Sequence, residues 1–250
     1  MTQSSATKTL LITGAARRIG AECARYFHAR GYQVIIHYNH SNADAEHLQQ
    51  TLNQQRAGSA ICLQADLCHI DAVQTLARDA LAWKGSIDLL INNASSFYPT
   101  TFGEITPEVW DDLMGSNLKG AFFLAQALAP SLAQRRGNII NLVDIHANSG
   151  LKDYSVYCIA KAGVKMMTKV LARELAPTVR VNAISPGAIL WPEQETALGS
   201  DDDPQQKILS RTALQRKGHP DDIAACAWFL AEQSPYSSGQ TIRVDGGRAP

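Results

Sequence analysis

The stretch Thr9-Leu-Leu-Ile-Thr13, followed directly by Gly14-Ala-Ala-Arg-Arg-Ile-Gly20, decides the fold class. Its first half is a short apolar run typical of a buried parallel strand, and its second half is a turn that leads into a helix ending near Gly31. Glycines at such a turn let the backbone approach a pyrophosphate, and the opening helix supplies free N–H donors. The order of strand, turn and helix predicts a nucleotide-binding unit, although the pattern is T-G-x-x-x-R-x-G rather than G-x-G-x-x-G.

Apolar runs alternate with helical stretches along the rest of the chain. We predict further strands at 33–38, 60–65, 88–94, 138–143, 180–185 and 241–247, and further helices at about 42–56, 70–83, 107–134, 154–176 and 219–232. No linker, repeat or low-complexity tract divides the 250 residues. The chain is therefore predicted to be a single α/β domain over 1–250, with a Rossmann-type, doubly wound parallel sheet of about seven strands and helices on both faces.

One segment, from 188 to about 215, has no clear strand or apolar period. Segments of this kind are usually either mobile surface loops or lids over a site. Because it follows the carboxyl end of a predicted strand, we expect a lid over the substrate.

Composition excludes several function classes. Hydrophobic residues make up 45% of the chain, and 23 basic side chains balance 23 acidic ones, so a nucleic acid or an anionic membrane is not an expected partner. The N-terminus lacks the order of a signal peptide and no apolar run approaches a membrane span, which favours a cytoplasmic location. The five cysteines show no C-x-x-C spacing and are expected to be reduced thiols, and we expect no metal site.

Tyr157 stands four residues before Lys161, a spacing that places both side chains on one face of a helix. A free phenol ionises at about pH 10, and a nearby cation lowers that pKa. Tyr157 could then exchange a proton with a carbonyl or an imine at working pH. The alternative is that the two residues recur by chance on a solvated helix face.

Polar residues at predicted strand ends are the other candidates. Asn39-His40-Ser41 stands where NAD-binding chains carry an acidic residue, so neutral donors together with Arg18 favour the 2′-phosphate of NADP. His40 could equally be a plain loop residue. Asp66 could bind an adenine amino group, but capping the following helix is the interpretation that the sequence favours. Asn117 is either a structural amide or the holder of a water molecule.

Several motifs occur together in order: T-G-x-x-x-R-x-G, Asn92-Asn-Ala, Asn117, Tyr157-x-x-x-Lys161, Pro186-Gly187 and Val244-Asp-Gly-Gly247. Along its whole length the chain resembles a short-chain dehydrogenase/reductase. The resemblance implies hydride transfer from a nicotinamide, with Tyr157 as proton donor and Lys161 lowering its pKa and binding the nicotinamide ribose. Asn117 would hold a relay water. The resemblance also suggests a homotetramer built on the helices at 107–134 and 154–176.

Two departures from the general family point to a subfamily. Asp144 stands thirteen residues before the tyrosine, where a serine is usual, and Arg18 replaces the middle glycine. With Asn93-Ala-Ser-Ser-Phe-Tyr-Pro99, these positions resemble the pteridine reductases. That resemblance implies that Phe97 stacks on a pterin, that Ser95 and Arg18 contact pterin and cofactor phosphate, and that Asp144 works with Tyr157 in proton transfer.

The chain also differs from the pteridine reductases. His40 stands where those enzymes have an arginine, and Ala188-Ile189 lacks their serine. We therefore expect an NADPH-dependent reductase of a pterin or folate substrate of the dihydrobiopterin or dihydrofolate type. The alternatives are a carbonyl reductase of 3-oxoacyl thioesters and, in another class, a sensor that binds NADP without turnover.

The predicted site residues fall into three groups. Catalytic residues are Asn117, Asp144, Tyr157 and Lys161, and substrate-binding residues are Arg18, Ser95, Phe97, Asp144 and Tyr157. Cofactor-binding residues are Gly14, Arg18, Ile19, Gly20, Asn39, His40, Ser41, Asp66, Leu67, Asn93, Ala94, Ser95, Tyr157, Lys161, Pro186 and Gly187.

Overall fold

The computed structural model describes residues 7–189 and 204–248. Its sheet has the strand order β3-β2-β1-β4-β5-β6-β7, and each pair of neighbouring strands is parallel. The strands are β1 (Thr9–Ile12), β2 (Gln33–Tyr38), β3 (Ala60–Gln64), β4 (Leu89–Asn92), β5 (Asn138–Leu142), β6 (Arg180–Pro186) and β7 (Thr241–Val244). This arrangement confirms the predicted doubly wound parallel sheet.

Helices cover both faces of the sheet. They are α1 (Arg18–His28), α2 (Asn42–Gln55), α3 (Ile70–Lys84), α4 (Pro107–Met114), α5 (Gly120–Arg135), α6 (His146–Ser149), α7 (Ser155–Glu174), α8 (Pro204–Ser210) and α9 (Pro220–Trp228). One hydrophobic core holds side chains of α1, α2 and α9, and a second holds side chains of α3, α5 and α7. Because both faces of the sheet are covered, the central strands β1 and β4 are buried throughout and consist of near-continuous apolar runs, as the sequence predicted, whereas the edge strands β3 and β7 are partly exposed.

The strand order reverses between β1 and β4. The chain passes outward from β1 to β2 and β3, and then returns to place β4 on the other side of β1. In open α/β sheets the crevice at such a reversal, at the carboxyl ends of the strands, is where ligands bind. The turns after β1, β4 and β5 therefore define the region in which the predicted site residues meet.

The π-helical segments and two short helices differ from the sequence prediction. The predicted helix at 107–134 is interrupted by a π-helical segment, Gly115–Lys119, and α9 continues into a second one, Phe229–Gln233. A short helix, α6, follows β5, where the Asp144 carboxylate accepts a hydrogen bond from the His146 N–H at 2.8 Å. Residues 190–203 of the predicted lid lie outside the described residues, and the described remainder contains α8.

No helix in the described ranges is both long enough and apolar enough to cross a membrane.

Candidate active site

A cavity of about 1080 Å³ opens at the carboxyl edge of the sheet. With one exception, all the predicted site residues line it, from the turns after β1, β2, β3, β4, β5 and β6 and from α7. The exception is Asn117, which lies one hydrogen bond behind the wall: its side-chain oxygen accepts from the Ser95 hydroxyl at 2.7 Å. The structure thus brings together residues that are up to 173 positions apart, Gly14 and Gly187.

The turn after β1 requires glycine at two positions. Gly14 has φ +61°, and a Cβ there would lie 2.9 Å from the Ala94 Cα. A Cβ on Gly20 would lie 2.3 Å from the Gly14 carbonyl oxygen. The side chain of Arg17, at the N-cap of α1, makes no capping hydrogen bond. The first N–H groups of α1 are thus available as donors, and the two glycines leave room for a ligand to come close to the backbone. Both features fit the pyrophosphate of a dinucleotide.

Arg18 begins α1 with φ +54°, in the left-handed region that favours glycine. Arg18 stands in the place of the middle glycine of the motif that the chain resembles, and its backbone has the conformation that glycine favours while it carries a long cationic side chain. An L-residue in this region costs about 1 kcal/mol. Arg18 is exposed and lines the cavity wall, so its positive charge is available to an anionic ligand there.

Side chains that directly follow β1 and β4 hold the same turn. The Thr13 hydroxyl oxygen accepts from the backbone N–H groups of Asn93 and Ala94, at 2.9 and 3.0 Å. The Asn93 amide donates to the carbonyl oxygens of Thr13 and Gly14, both at 2.9 Å. Asn93 therefore fixes the position of the glycine turn, and this is a structural role that the motif alone did not reveal.

At the end of β2 the cavity is lined by Asn39, His40 and Ser41. The sequence did not single out Arg17, which also lines the cavity and pairs with Asp44 at 2.6 Å. Asp44 lies in the first turn of α2. The two adjacent arginines at positions 17 and 18 were the only sign in the sequence that Arg17 belongs to the site. Its contact with Asp44, 27 residues further along the chain, could not be inferred from the sequence.

The prediction that Asp66 caps the following helix is wrong. His69 occupies the N-cap of α3 and makes no side-chain capping bond. The Asp66 carboxylate instead accepts from the Cys68 N–H at 2.9 Å, two residues on, which tightens the turn after β3. Asp66 and Leu67 line the cavity.

The catalytic candidates meet where β5 ends beside α7. The Tyr157 hydroxyl donates to Asp144 Oδ2 at 2.8 Å. Lys161 is buried, its ammonium donates to the Leu142 carbonyl oxygen at 3.0 Å, and its Nζ lies 5.7 Å from the centre of the Tyr157 ring. Tyrosine and lysine thus share one face of α7, as their spacing predicted, and Asp144 contacts the phenol directly.

The expectation that the pKa of Tyr157 is lowered is wrong. Burial raises the pKa of the phenol above its ordinary value, and the negative charge of Asp144 together with its hydrogen bond raises it further, while a hydrogen bond with Ser95 acts in the opposite direction. Burial also lowers the pKa of Lys161 to about 8. The four-residue spacing of Tyr157 and Lys161 indicates a cation near the phenol. It does not indicate how deeply the phenol is buried or that Asp144 contacts it. Tyr157 therefore keeps its proton at neutral pH.

Phe97 forms an aromatic cluster at the cavity. Its ring stacks on Tyr154, with centroids 4.5 Å apart and planes at 14°, and meets Tyr157 edge to face at 4.8 Å. The side chain is still 52% exposed. The Thr100 N–H donates to the Asp153 carbonyl oxygen at 2.5 Å, so the loop that carries Phe97 is attached to the start of α7. Tyr154 is a further residue that the sequence did not single out.

Asn117 holds the aromatic loop from behind. It is buried in the π-helical segment, and its amide nitrogen donates to the carbonyl oxygens of Ser96 and Leu113, both at 3.0 Å. Together with the bond from Ser95, these contacts fix the loop that precedes Phe97. Both ends of the side-chain amide are thus hydrogen-bonded within the protein.

A buried polar chain connects the sheet to α7. The Asn92 amide donates to the Asn141 side-chain oxygen at 2.8 Å, and the Asn141 amide donates to the Thr168 hydroxyl at 2.9 Å. The Thr168 hydroxyl donates in turn to the Val164 carbonyl oxygen at 2.9 Å. The chain links β4, β5 and the helix that carries Tyr157 and Lys161. In the described residues there is no group of three or more His, Cys, Asp or Glu side chains that could hold a metal ion.

Comparison with known proteins agrees with this geometry. A family model described as enoyl-(acyl carrier protein) reductase matches residues 14–249. Pteridine reductase 1 of Leishmania tarentolae is 34% identical over 99% of this chain and 98% of its own length. A 3-oxoacyl-(acyl-carrier-protein) reductase of Staphylococcus epidermidis is 36% identical over 96% of this chain and 98% of its own length.

A third relative, 3beta-hydroxysteroid dehydrogenase 1 of Eggerthella lenta, is 32% identical over 96% of this chain and 93% of its own length. The three relatives differ in substrate but are similar to this chain over nearly its whole length. With its parallel sheet, glycine turn and Tyr157-Lys161 pair, the chain belongs to the short-chain dehydrogenase/reductase family of oxidoreductases.

Proposed function

We propose that the protein reduces a dihydropterin, of the dihydrobiopterin or dihydrofolate type, to the tetrahydro form with NADPH. The observation that carries the proposal is the hydrogen bond of 2.8 Å between Tyr157 and Asp144, next to the half-exposed ring of Phe97. A flat heterocycle stacks favourably on an aromatic ring, by about 0.5 to 1.5 kcal/mol beyond the area buried. Its ring nitrogens need a proton donor, which the pair supplies.

Each residue has a distinct role in this proposal. When bound, the nicotinamide supplies the hydride. Tyr157 holds the proton to be delivered to the substrate, because burial and Asp144 keep the phenol protonated. Lys161 fixes the nicotinamide ribose, and Asn117 keeps the Ser95-Ser96 segment and hence Phe97 in place. The glycine turn and the start of α1 hold the pyrophosphate.

The carboxylate of Asp144 argues against ketone reduction. Reduction of a ketone develops negative charge on the substrate oxygen, which would have to sit near the Tyr157 hydroxyl and therefore near Asp144. Two like charges about 4 Å apart repel by about 4 kcal/mol at an effective dielectric constant of about 20. An imine nitrogen is much more basic than a ketone oxygen and can take up its proton before the hydride arrives, so no negative charge develops beside Asp144. The 36% identity to a 3-oxoacyl reductase keeps that activity as the rival to be tested.

A direct assay tests the proposal. Purified protein is mixed with NADPH and, in separate reactions, with dihydrobiopterin, dihydrofolate and a 3-oxoacyl thioester, and the loss of reduced cofactor is followed by absorbance. We expect turnover on at least one dihydropterin or dihydrofolate. Turnover on the thioester alone would assign the protein to the rival activity, and cofactor binding without any turnover would favour the sensor.

NADPH is proposed as the cofactor because Asn39, His40 and Ser41 follow β2 where NAD-binding chains carry an acidic residue, and because Arg18 lines the same cavity. The carboxylate of Asp44, in the first turn of α2, would repel a 2′-phosphate, and its pairing with Arg17 at 2.6 Å offsets that charge. Arg17 would therefore compensate for the missing arginine at position 40.

Arg17→Gln is expected to raise the dissociation constant for NADPH about tenfold, the scale of one charge-assisted hydrogen bond, and to leave that for NADH unchanged. The measurement is fluorescence titration of the protein with each cofactor. Arg78→Gln is the matched control, because Arg78 pairs with Asp79 on the surface of α3. An equal loss for both cofactors would show that Arg17 does not recognise the 2′-phosphate.

We also propose that the protein assembles as a homotetramer. The helices α4, α5 and α7 carry large exposed apolar side chains, namely Trp110, Phe122, Ile159, Met166 and Val170. Helices from a second copy of the chain would cover them, as the family resemblance suggests. Light scattering should give the mass of four chains of 27.1 kDa each, and a mass of one chain at micromolar concentration would contradict the proposal.

A further inference from the structure

We propose that His37 is a positioning residue for the cofactor: its neutral imidazole holds the glycine turn in the conformation that receives the dinucleotide. The inference rests on the proposed function only in requiring that the protein bind a nicotinamide dinucleotide. It needs neither a particular substrate nor a preference between NADPH and NADH. His37 was not among the residues that the sequence motifs singled out, because it lies within the strand β2 and not in one of the motifs.

His37 uses both ring nitrogens at the carboxyl edge of the sheet. It is 1% exposed, Nδ1 lies 3.1 Å from the Gly14 nitrogen, and Nε2 lies 3.0 Å from the Ala65 carbonyl oxygen. A backbone N–H can only donate and a carbonyl oxygen can only accept. The imidazole therefore accepts at Nδ1 and carries its proton at Nε2, which fixes one neutral tautomer.

The two contacts connect three adjacent strands. Gly14 follows β1, His37 belongs to β2, and Ala65 follows β3, and these strands are neighbours in the order β3-β2-β1. The backbone of His37 adds a further bond, since its carbonyl oxygen accepts from the Ala15 N–H at 2.9 Å. The turn is thus held from one side by His37 and from the other by Asn93, which donates to the Gly14 oxygen.

The turn depends on this side chain because the N–H of Gly14 has to find an acceptor in a crowded position. Gly14 already has φ +61° and lies so close to Ala94 that no other residue fits there. A rotation of the Gly14 peptide would also move its carbonyl oxygen. That oxygen is packed closely against Gly20, since a Cβ at position 20 would lie only 2.3 Å from it. Small shifts of this peptide therefore disturb the start of α1, where the pyrophosphate would bind.

The charge state of the imidazole agrees with this role. Burial lowers the pKa of His37 to about 4, against the opposing influence of its bond to Ala65 and of the Asp66 carboxylate. Nδ1 consequently stays an acceptor at neutral pH. A protonated ring would present an N–H to the N–H of Gly14 and would lose that bond.

Three substitutions at position 37 test the proposal. His37→Leu removes both contacts, and we expect the dissociation constants for NADPH and NADH to rise about tenfold each, while turnover at saturating NADPH changes little. An asparagine amide reaches about as far as Nδ1, so His37→Asn should retain the acceptor for Gly14 and bind NADPH within about threefold of the native protein. A glutamine amide reaches about as far as Nε2, so His37→Gln should bind as weakly as the leucine variant.

The matched control is His28→Leu. His28 is also buried, at 2% exposure, and its Nε2 lies 2.7 Å from the Ser59 hydroxyl oxygen, but it stands in the last turn of α1 and does not line the cavity. Its loss should lower the melting temperature without changing the dissociation constant for NADPH. This control separates a general loss of a buried histidine from a specific effect on the turn.

The contrast between asparagine and glutamine decides the question even if the leucine variant does not fold. Equal affinities of His37→Asn and His37→Gln, or tighter binding by the glutamine variant, would overturn the proposal, as would a leucine variant that only melts earlier. If the native protein binds neither NADPH nor NADH, the proposed function fails instead, and that result is visible before any variant is made.

Discussion

Replacing Tyr157 with phenylalanine is expected to lower the turnover of a dihydropterin at least about 10²-fold, the scale of general acid catalysis, while NADPH binding is kept. The substitution removes one oxygen atom and leaves the buried ring in its edge-to-face contact with Phe97. It also leaves Asp144 Oδ2 without the hydroxyl that now donates to it. The proton for the substrate would then have to come from water.

Single-turnover kinetics with preformed protein and NADPH measure the effect, and a fluorescence titration measures cofactor affinity. Tyr154→Phe makes the same chemical change three residues earlier, in the ring that stacks on Phe97. It should keep nearly full activity, because the stacking face of the ring is unaltered. Turnover by Tyr157→Phe close to that of the native protein would remove Tyr157 from its proposed role.

The second large effect is expected for Asp144→Ser, with a loss of roughly 10²-fold in dihydropterin turnover and unchanged NADPH affinity. Serine restores the residue usual in the wider family. Its hydroxyl can still accept the hydrogen bond that Asp144 receives from His146, so α6 should persist. The variant therefore separates the chemical contribution of the carboxylate from its local structural one.

The pH dependence of the same variant has a definite direction. Tyr157 is active with its proton on, so turnover is present below the pKa of the phenol and is lost as the pH rises through it. Asp144 is one of the groups that raise this pKa, after burial. Removing the carboxylate lowers the pKa of Tyr157, and the alkaline limb of kcat should therefore move to lower pH than in the native protein.

Asp144→Asn complements this experiment, because it keeps the shape of the side chain and removes its charge. Both variants should lose dihydropterin turnover if the carboxylate takes part in proton transfer. Native rates in both would show that Asp144 serves only to shape the turn after β5. Gain of 3-oxoacyl thioester reduction by the serine variant, measured in parallel, would indicate that the carboxylate had been excluding ketones.

The sheet and the main helices could be predicted from the sequence because a parallel sheet buried on both faces leaves long apolar runs separated by glycine and polar turns. The strand from Thr9 to Ile12 and the glycines that follow it are the clearest case. The π-helical segments escaped prediction, since a local change of hydrogen-bonding register has no compositional signature. For the same reason the sequence predicts ordinary helix for the π-helical segment that contains Asn117.

Site residues that belong to sequence motifs could be predicted. Residues whose role in the site depends on contacts with distant positions were missed. Arg17 gains its meaning from Asp44, and His37 from Gly14 and Ala65. The pKa of Tyr157 was misjudged because spacing along a helix reveals a neighbouring lysine but not the water that burial excludes. Depth of burial is a property of the assembled sheet and helices.

The buried polar chain from Asn92 through Asn141 to Thr168 restricts how this protein can diverge. Changing any one of the three side chains to an apolar one leaves a partner with an unmade hydrogen bond in the core, at a cost of about 1 to 3 kcal/mol. A single substitution here is therefore expected to destabilise the protein more than a substitution on its surface. These hydrogen bonds tie the position of the catalytic helix to the core of the sheet, at a distance from the loops that face the substrate.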